Sequence, residues 1–178
     1  MARSPNRPSR WLVLFTSAAL LGVGLLQGQQ AGVAAPDDAP STISMLPGEQ
    51  SLLDLTNSDR VANGLPQLAF DPDALPIARA RASSQLGTDR LTHYDQDSQL
   101  AFARMLSDAS LEYQLAGENL ARSSLNYDGL IKSIELALMN SPTHRSNILE
   151  PKFTKVAIGA ALDPSGQIAF AEIFRSAE

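Results

Sequence analysis

Two histidines, His93 and His144, stand 51 positions apart, and Glu118 lies between them in the short run Ala116-Gly117-Glu118-Asn119-Leu120. Two imidazoles and a carboxylate form a donor set for a borderline divalent metal such as zinc, with a fourth position left for water or a ligand. Each histidine has a loop-like, turn-rich setting: Leu91-Thr92-His93-Tyr94-Asp95 and Asn140-Ser141-Pro142-Thr143-His144-Arg145-Ser146-Asn147. Isolated histidines also cap helices or bond backbone carbonyls, so spacing alone leaves both readings open. Glu172, between Phe170 and Phe174 on one strand face, is the other unusual acid. It reads either as a carboxylate paired with an arginine at a sheet edge or as a cleft acid with a raised pKa. It is the reserve candidate for a fourth metal position, for which water is the competing occupant.

Other chemistries are missing from the sequence. It has no Gly-x-Ser-x-Gly elbow, His-Glu-x-x-His helix, phosphate-cradling loop or calcium-loop pattern. Ser141 lies three residues before His144, but no acid is placed to complete a triad. Zero cysteines exclude disulfides, thiolate zinc sites, iron–sulfur clusters and thiol nucleophiles.

The elements that must position these residues fall in a chain of 178 residues, room for one ordinary domain. A first helix is expected over residues 49–62, ended by Asn63-Gly64. Asp71-Pro72-Asp73 opens a second, with Leu75, Ala78, Ala82 and Leu86 on one face and Arg79 and Arg81 on a solvated one. A short third helix holds Leu100, Phe102, Ala103 and Leu106. A fourth starts at Asn126, carries the stripe Tyr127, Leu130, Ile131, Ile134 and Leu138, and closes at Pro142. The period then changes to two. Residues 156–162 alternate large with small, 163–166 read as a turn, and Ile168, Phe170, Glu172 and Phe174 share a face, which makes a β-hairpin. Helices first and a hairpin last predict an α+β fold with helices covering a small antiparallel sheet.

The N-terminus reads as an address. Arg3, Arg7 and Arg10 precede the apolar run 11–26, and small residues follow at 31–35, the pattern of a secretory signal over residues 1–35. An uncleaved N-terminal anchor is the alternative, although 16 apolar residues fall short of the roughly 20 that span a bilayer. Residues 36–47 read as a flexible linker and 48–178 as the domain, expected in the extracellular medium or the bacterial cell envelope. Beyond residue 35 the chain has 11 basic against 19 acidic residues, a formal −8. Nucleic acid is therefore not an expected partner, and membrane contact is expected only through the N-terminal segment if that is retained.

An ordered set of motifs resembles the SCP-like extracellular domain of the CAP superfamily. The likeness runs from Leu52 to Phe174. It begins with Asn57-x-x-Arg60 and Gly64-Leu65-Pro66-x-Leu68, then Leu91-Thr92-His93, then Gly117-Glu118-Asn119-Leu120-Ala121. Ser141-Pro142-Thr143-His144-Arg145-Ser146-Asn147-Ile148-Leu149 is its most specific piece; Phe153-Thr154, Ile158-Gly159 and the strand at 170–174 complete it. Leu138 stands where the family usually has Trp, Ser141 where it has a second Glu, and Glu172 near a position that is commonly Gln.

The resemblance implies a three-layer α-β-α sandwich of the CAP type, with a cleft holding His93, Glu118 and His144 and, in some members, zinc. It implies a ligand-binding or recognition module for a small molecule, lipid, glycan or peptide. Two alternatives stay open. One is a metal-assisted hydrolase acting on a peptide, ester or cell-wall substrate, with metal on His93 and His144 and Glu118 as ligand or base. The other is a structural envelope module.

Overall fold

Alternation at the C-terminal end builds the expected hairpin. In the structure, a computed structural model that describes residues 44–124 and 129–176, β3 (Lys155–Leu162) pairs antiparallel with β4 (Ile168–Arg175). The turn between them is held by Asp163, whose Oδ1 accepts from the Ser165 and Gln167 amides at 2.8 and 3.0 Å. Residues 1–35, 36–43, Asn126 and Tyr127 lie outside the described residues, and with them the expected signal, most of the linker and the start of the fourth helix. No helix among the described residues is long and apolar enough to cross a membrane.

Register decides which side chains meet. Val156 faces Phe174, Ile158 faces Glu172 and Ala160 faces Phe170, so these six share one side of the sheet. The other side is nearly all small: Ala157, Gly159 and Ala161 lie opposite Ile173, Ala171 and Ala169. There α2 (Leu75–Ser84) approaches so closely that a Cβ on Gly159 would stand 2.2 Å from the Ala78 carbonyl carbon. The small face is thus the condition for this helix contact. The α3 helix (Ala101–Asp108) adds Phe102 and Leu106 to the same layer.

The opposite face is covered by α1 (Pro47–Ala62) and α4 (Leu130–Asn140), whose Leu52, Leu53, Ile134 and Leu138 pack on Val156, Ile158, Phe170 and Phe174. Pro47 fits the start of α1 because its missing N–H has no partner to lose there. Glu49 accepts from the Leu46 amide at 2.7 Å, from Arg79 and, at 3.0 Å, from the Ala160 amide, so one buried carboxylate joins α1, α2 and β3. Asn57 and Arg60 tie loops to the same helix. Asn57 pairs with both backbone groups of Leu68, and the buried Arg60 donates to the carbonyls of Pro66, Ile148 and Glu150.

This is the expected α+β sandwich, with three corrections. The sheet has four strands in the order β1-β3-β4-β2 and is mixed, because β1 (Ala69–Phe70) runs parallel to β3 while β2 (Ala116–Ser123) is antiparallel to β4. Two residues offer no period to read, so the sequence carries no signal for β1. The second helix begins at Leu75, since Asp71 is committed to a buried ion pair with Arg175 (2.6 Å). Pro142 closes α4 and also opens α5 (Pro142–Ile148), so His144 sits on a short helix, not in a loop.

Candidate functional site at the β2 edge

Strand β2 is one of the two edge strands of the sheet, and its period of two sends Glu118 and Asn119 to opposite faces. Glu118 points toward α2, where Arg81 grips it: Nε to Oε1 at 2.7 Å and Nη2 to Oε2 at 3.1 Å. The Glu118 side chain has no exposure and that of Arg81 has 5%. The same carboxylate meets His93 Nδ1 at 2.7 Å, and Arg81 Nη2 also donates to the carbonyl of Thr92 at 2.7 Å. One guanidinium therefore fixes both the carboxylate that orients His93 and the backbone next to it. With Nδ1 turned to Glu118, the ring's Nε2 is the atom left to act outward.

Arg81 thus departs from the expected solvated face, and the period explains it. Residues two apart on a helix point to different sides, so Arg79 reaches Glu49 while Arg81 turns inward to Glu118. That spacing was the available signal.

His144 comes to the same strand from the other side. Its carbonyl accepts from Asn119 Nδ2 at 3.2 Å, and Asn147 on α5 donates from Nδ2 to Asn119 Oδ1 at 2.9 Å. Burial holds the His144 pKa below its ordinary value, and the nearby His93 adds to the effect. The two imidazoles are therefore electrostatic neighbours across β2. Beside His144 a groove of about 430 Å³ runs between α4 and the strand edge, lined by Leu91, Leu120, Leu130, Ile134 and Leu138 and by the polar residues Arg122, Ser123, Ser133, Ser141 and His144.

Glu172 does not join this group. It lies opposite Asn119 in the register, so it faces the α1–α4 side of the sheet, away from Glu118. There it is buried and accepts from Asn119 (2.9 Å) and Thr56 (3.0 Å), with no arginine partner. Burial pushes its pKa up to about 7, against the opposing pull of those two donors. It is an interior acid, neither a sheet-edge ion pair nor a cleft group.

A metal held by His93, Glu118 and His144 together does not fit these residues. Both Glu118 oxygens are already engaged by Arg81 and His93 in a side chain without exposure. Among the described residues, no three His, Asp or Glu side chains are grouped to hold a metal ion.

This sandwich has a counterpart among known families. The model of the cysteine-rich secretory protein family, CAP, matches residues 53–174. The chain is a CAP-family protein. Its CAP domain is 32% identical over 121 residues to YkwD of Bacillus subtilis (strain 168), a match covering 68% of this chain and 44% of YkwD. An extracellular SCP-domain protein from Bacillus anthracis str. Ames superposes with a TM-score of 0.61 at 26% identity, over 73% of this chain and 40% of that one. The chain therefore spans less than half the length of these two relatives. An outer surface protein of Borrelia burgdorferi shares the fold, with a TM-score of 0.63 at 16% identity over 76% of this chain and 97% of its own.

Proposed function

We propose that this CAP domain is an exported binding module whose ligand lies in the groove between α4 and β2, with Ser141 and His144 among its polar lining. The observation that carries the reading is the contrast between the two sides of the β2 edge. On one side Glu118 is locked by Arg81 and His93, which leaves no free carboxylate to serve as general base or metal ligand. On the other lies an open groove whose surface is mainly apolar, with Arg122, three serines and His144 as polar groups, the composition of a binding site. A divalent metal such as zinc would have only the two imidazoles to hold it. The arginine-then-apolar N-terminus and the extracellular and outer-surface settings of similar proteins support export.

Ala137 lies exposed in the groove wall, so Ala137→Trp fills the groove without entering the core. Titration with a fluorescent fatty acid, apolar peptides and short glycans should find saturable capture by the wild type. That capture should be lost in Ala137→Trp at unchanged thermal stability. Turnover of ester or peptide probes that survives Ala137→Trp would overturn the reading.

A further inference from the structure

Beneath the groove wall, three acids converge without a cation. Glu135, on the inner face of α4, is 3% exposed, and its Oε2 stands 3.1 Å from Thr56 Oγ1. The same hydroxyl stands 3.0 Å from Glu172 Oε1. From α1, Asp59 also acts on Glu135. Glu135 Oε1 is buried and has no hydrogen-bond partner. None of the ion pairs among the described residues involves Glu135, Glu172 or Asp59.

A proton count follows from these contacts. A threonine hydroxyl has one hydrogen, so Thr56 can donate to only one of the two glutamates at a time. The other must itself carry a proton to bond the Thr56 oxygen. Glu172 has a second donor in Asn119 Nδ2, the pattern of an ionised acceptor. Glu135 has none: its remaining neighbour is the Asp59 carboxyl, which it can bond only if a proton sits between them.

We infer that Glu135 is a proton-binding site, a neutral carboxylic acid in the folded protein, forming with Glu172 a Thr56-bridged pair that latches α4 onto α1 and the sheet. The groups facing it are Thr56 and Asp59 from α1 and Glu172 from β4, with the neutral Asn119 of β2 behind Glu172. Burial first, then the charge of Glu172 and the contact with Asp59, push Glu135 up to about 9. A raised folded-state pKa means the latch is whole below the unfolded glutamate value and is lost as pH rises through the folded one. Removing the proton sets like charges against each other inside the core, and the element free to yield is α4, which also walls the groove.

Carboxyl ¹³C NMR of the whole protein tests it directly. The Glu135 Cδ resonance should hold its protonated position at about pH 7 and move only in the alkaline range, and the amides of Leu130–Asn140 should shift with the same midpoint. Glu135→Gln keeps the shape without the titration, so the alkaline shift of α4 should vanish in that variant. A Glu135 carboxyl that titrates in the ordinary carboxylate range would overturn the inference. So would α4 amides that ignore its titration, or an alkaline shift that persists in Glu135→Gln. The wild-type titration decides the matter alone if the variant does not fold.

Discussion

Arg81 and Glu118 form a two-point ion pair across the α2–β2 interface, Nε to Oε1 at 2.7 Å and Nη2 to Oε2 at 3.1 Å, and His93 closes on the same carboxylate at 2.7 Å. The pair does two things at once. It neutralises a carboxylate that has no access to water, and it makes that carboxylate a fixed acceptor for the His93 ring. Replacing Arg81 by Met leaves Glu118 buried and unpaired, which should destabilise the domain by about 3–5 kcal/mol, read from urea unfolding. Arg81→Lys should recover only part of this, because an ammonium cannot reproduce the fork. Wild-type stability in Arg81→Met would show that the pair contributes nothing.

Zinc retention follows from the same geometry. Untagged protein loaded with zinc and then dialysed against a chelator should keep well under one equivalent by elemental analysis, because two imidazoles without a third protein donor make a weak site. Stoichiometric zinc that survives chelation would require Glu118 to leave Arg81.

Gly159→Ala probes the layer contact. The added methyl carbon would stand 2.2 Å from main-chain atoms of both Ala78 and Arg79, and backbone cannot rotate away as a side chain can. A loss of about 1–3 kcal/mol or more is expected on chemical unfolding, whereas Ala157 and Ala161 already fit as methyls. A neutral Gly159→Ala would mean that α2 packs farther from β3.

Phe170→Ala tests the core on the opposite face. The ring is 1% exposed among Leu52, Ile134 and Ile158, so truncation should cost about 3–5 kcal/mol. A substantially smaller loss in the unfolding midpoint would mean that the α1 and α4 layer collapses onto the sheet to fill the space.

Acid should weaken the fold through Glu49 and His144. Burial alone would raise the Glu49 pKa, but Arg79 and the amides of Leu46 and Ala160 outweigh it and hold it below the usual range. The stability it contributes is present above the unfolded glutamate pKa and lost as pH falls through the lower folded value. His144 is likewise favoured neutral in the fold, so its contribution is present above the ordinary histidine pKa and fades as the ring protonates below it. Glu49→Gln should therefore lower stability at neutral pH and flatten the acid limb of a midpoint-versus-pH curve. An unchanged acid limb would remove Glu49 from this role.

The sequence by itself determined the local patterns and the family. Alternation of large and small residues at 156–162 could only serve a strand with one bulky and one close-packed face, and the structure uses both. The stripe of Leu130, Ile134 and Leu138 could only be the buried side of a helix, because three- and four-residue spacing repeats a helical face. The run from Ser141 to Leu149 marked the family, although it read as a loop around His144. Pro142 both ends one helix and starts the next, and local rules favour the first role as readily as the second.

What only the tertiary structure decided is which polar groups meet. Arg81 and Glu118 are 37 residues apart, Thr56 and Glu135 are 79, and Thr56 and Glu172 are 116. No helical or strand period reaches across such distances. Antiparallel register then set Glu172 beside Asn119 and away from Glu118, because neighbouring residues of a strand point to opposite faces. One step of register separates this buried acid from the α2 face of the sheet, where Glu118 lies. That step is fixed by how the whole sheet packs its large residues inward, a decision made by the assembled layers and not by any one segment.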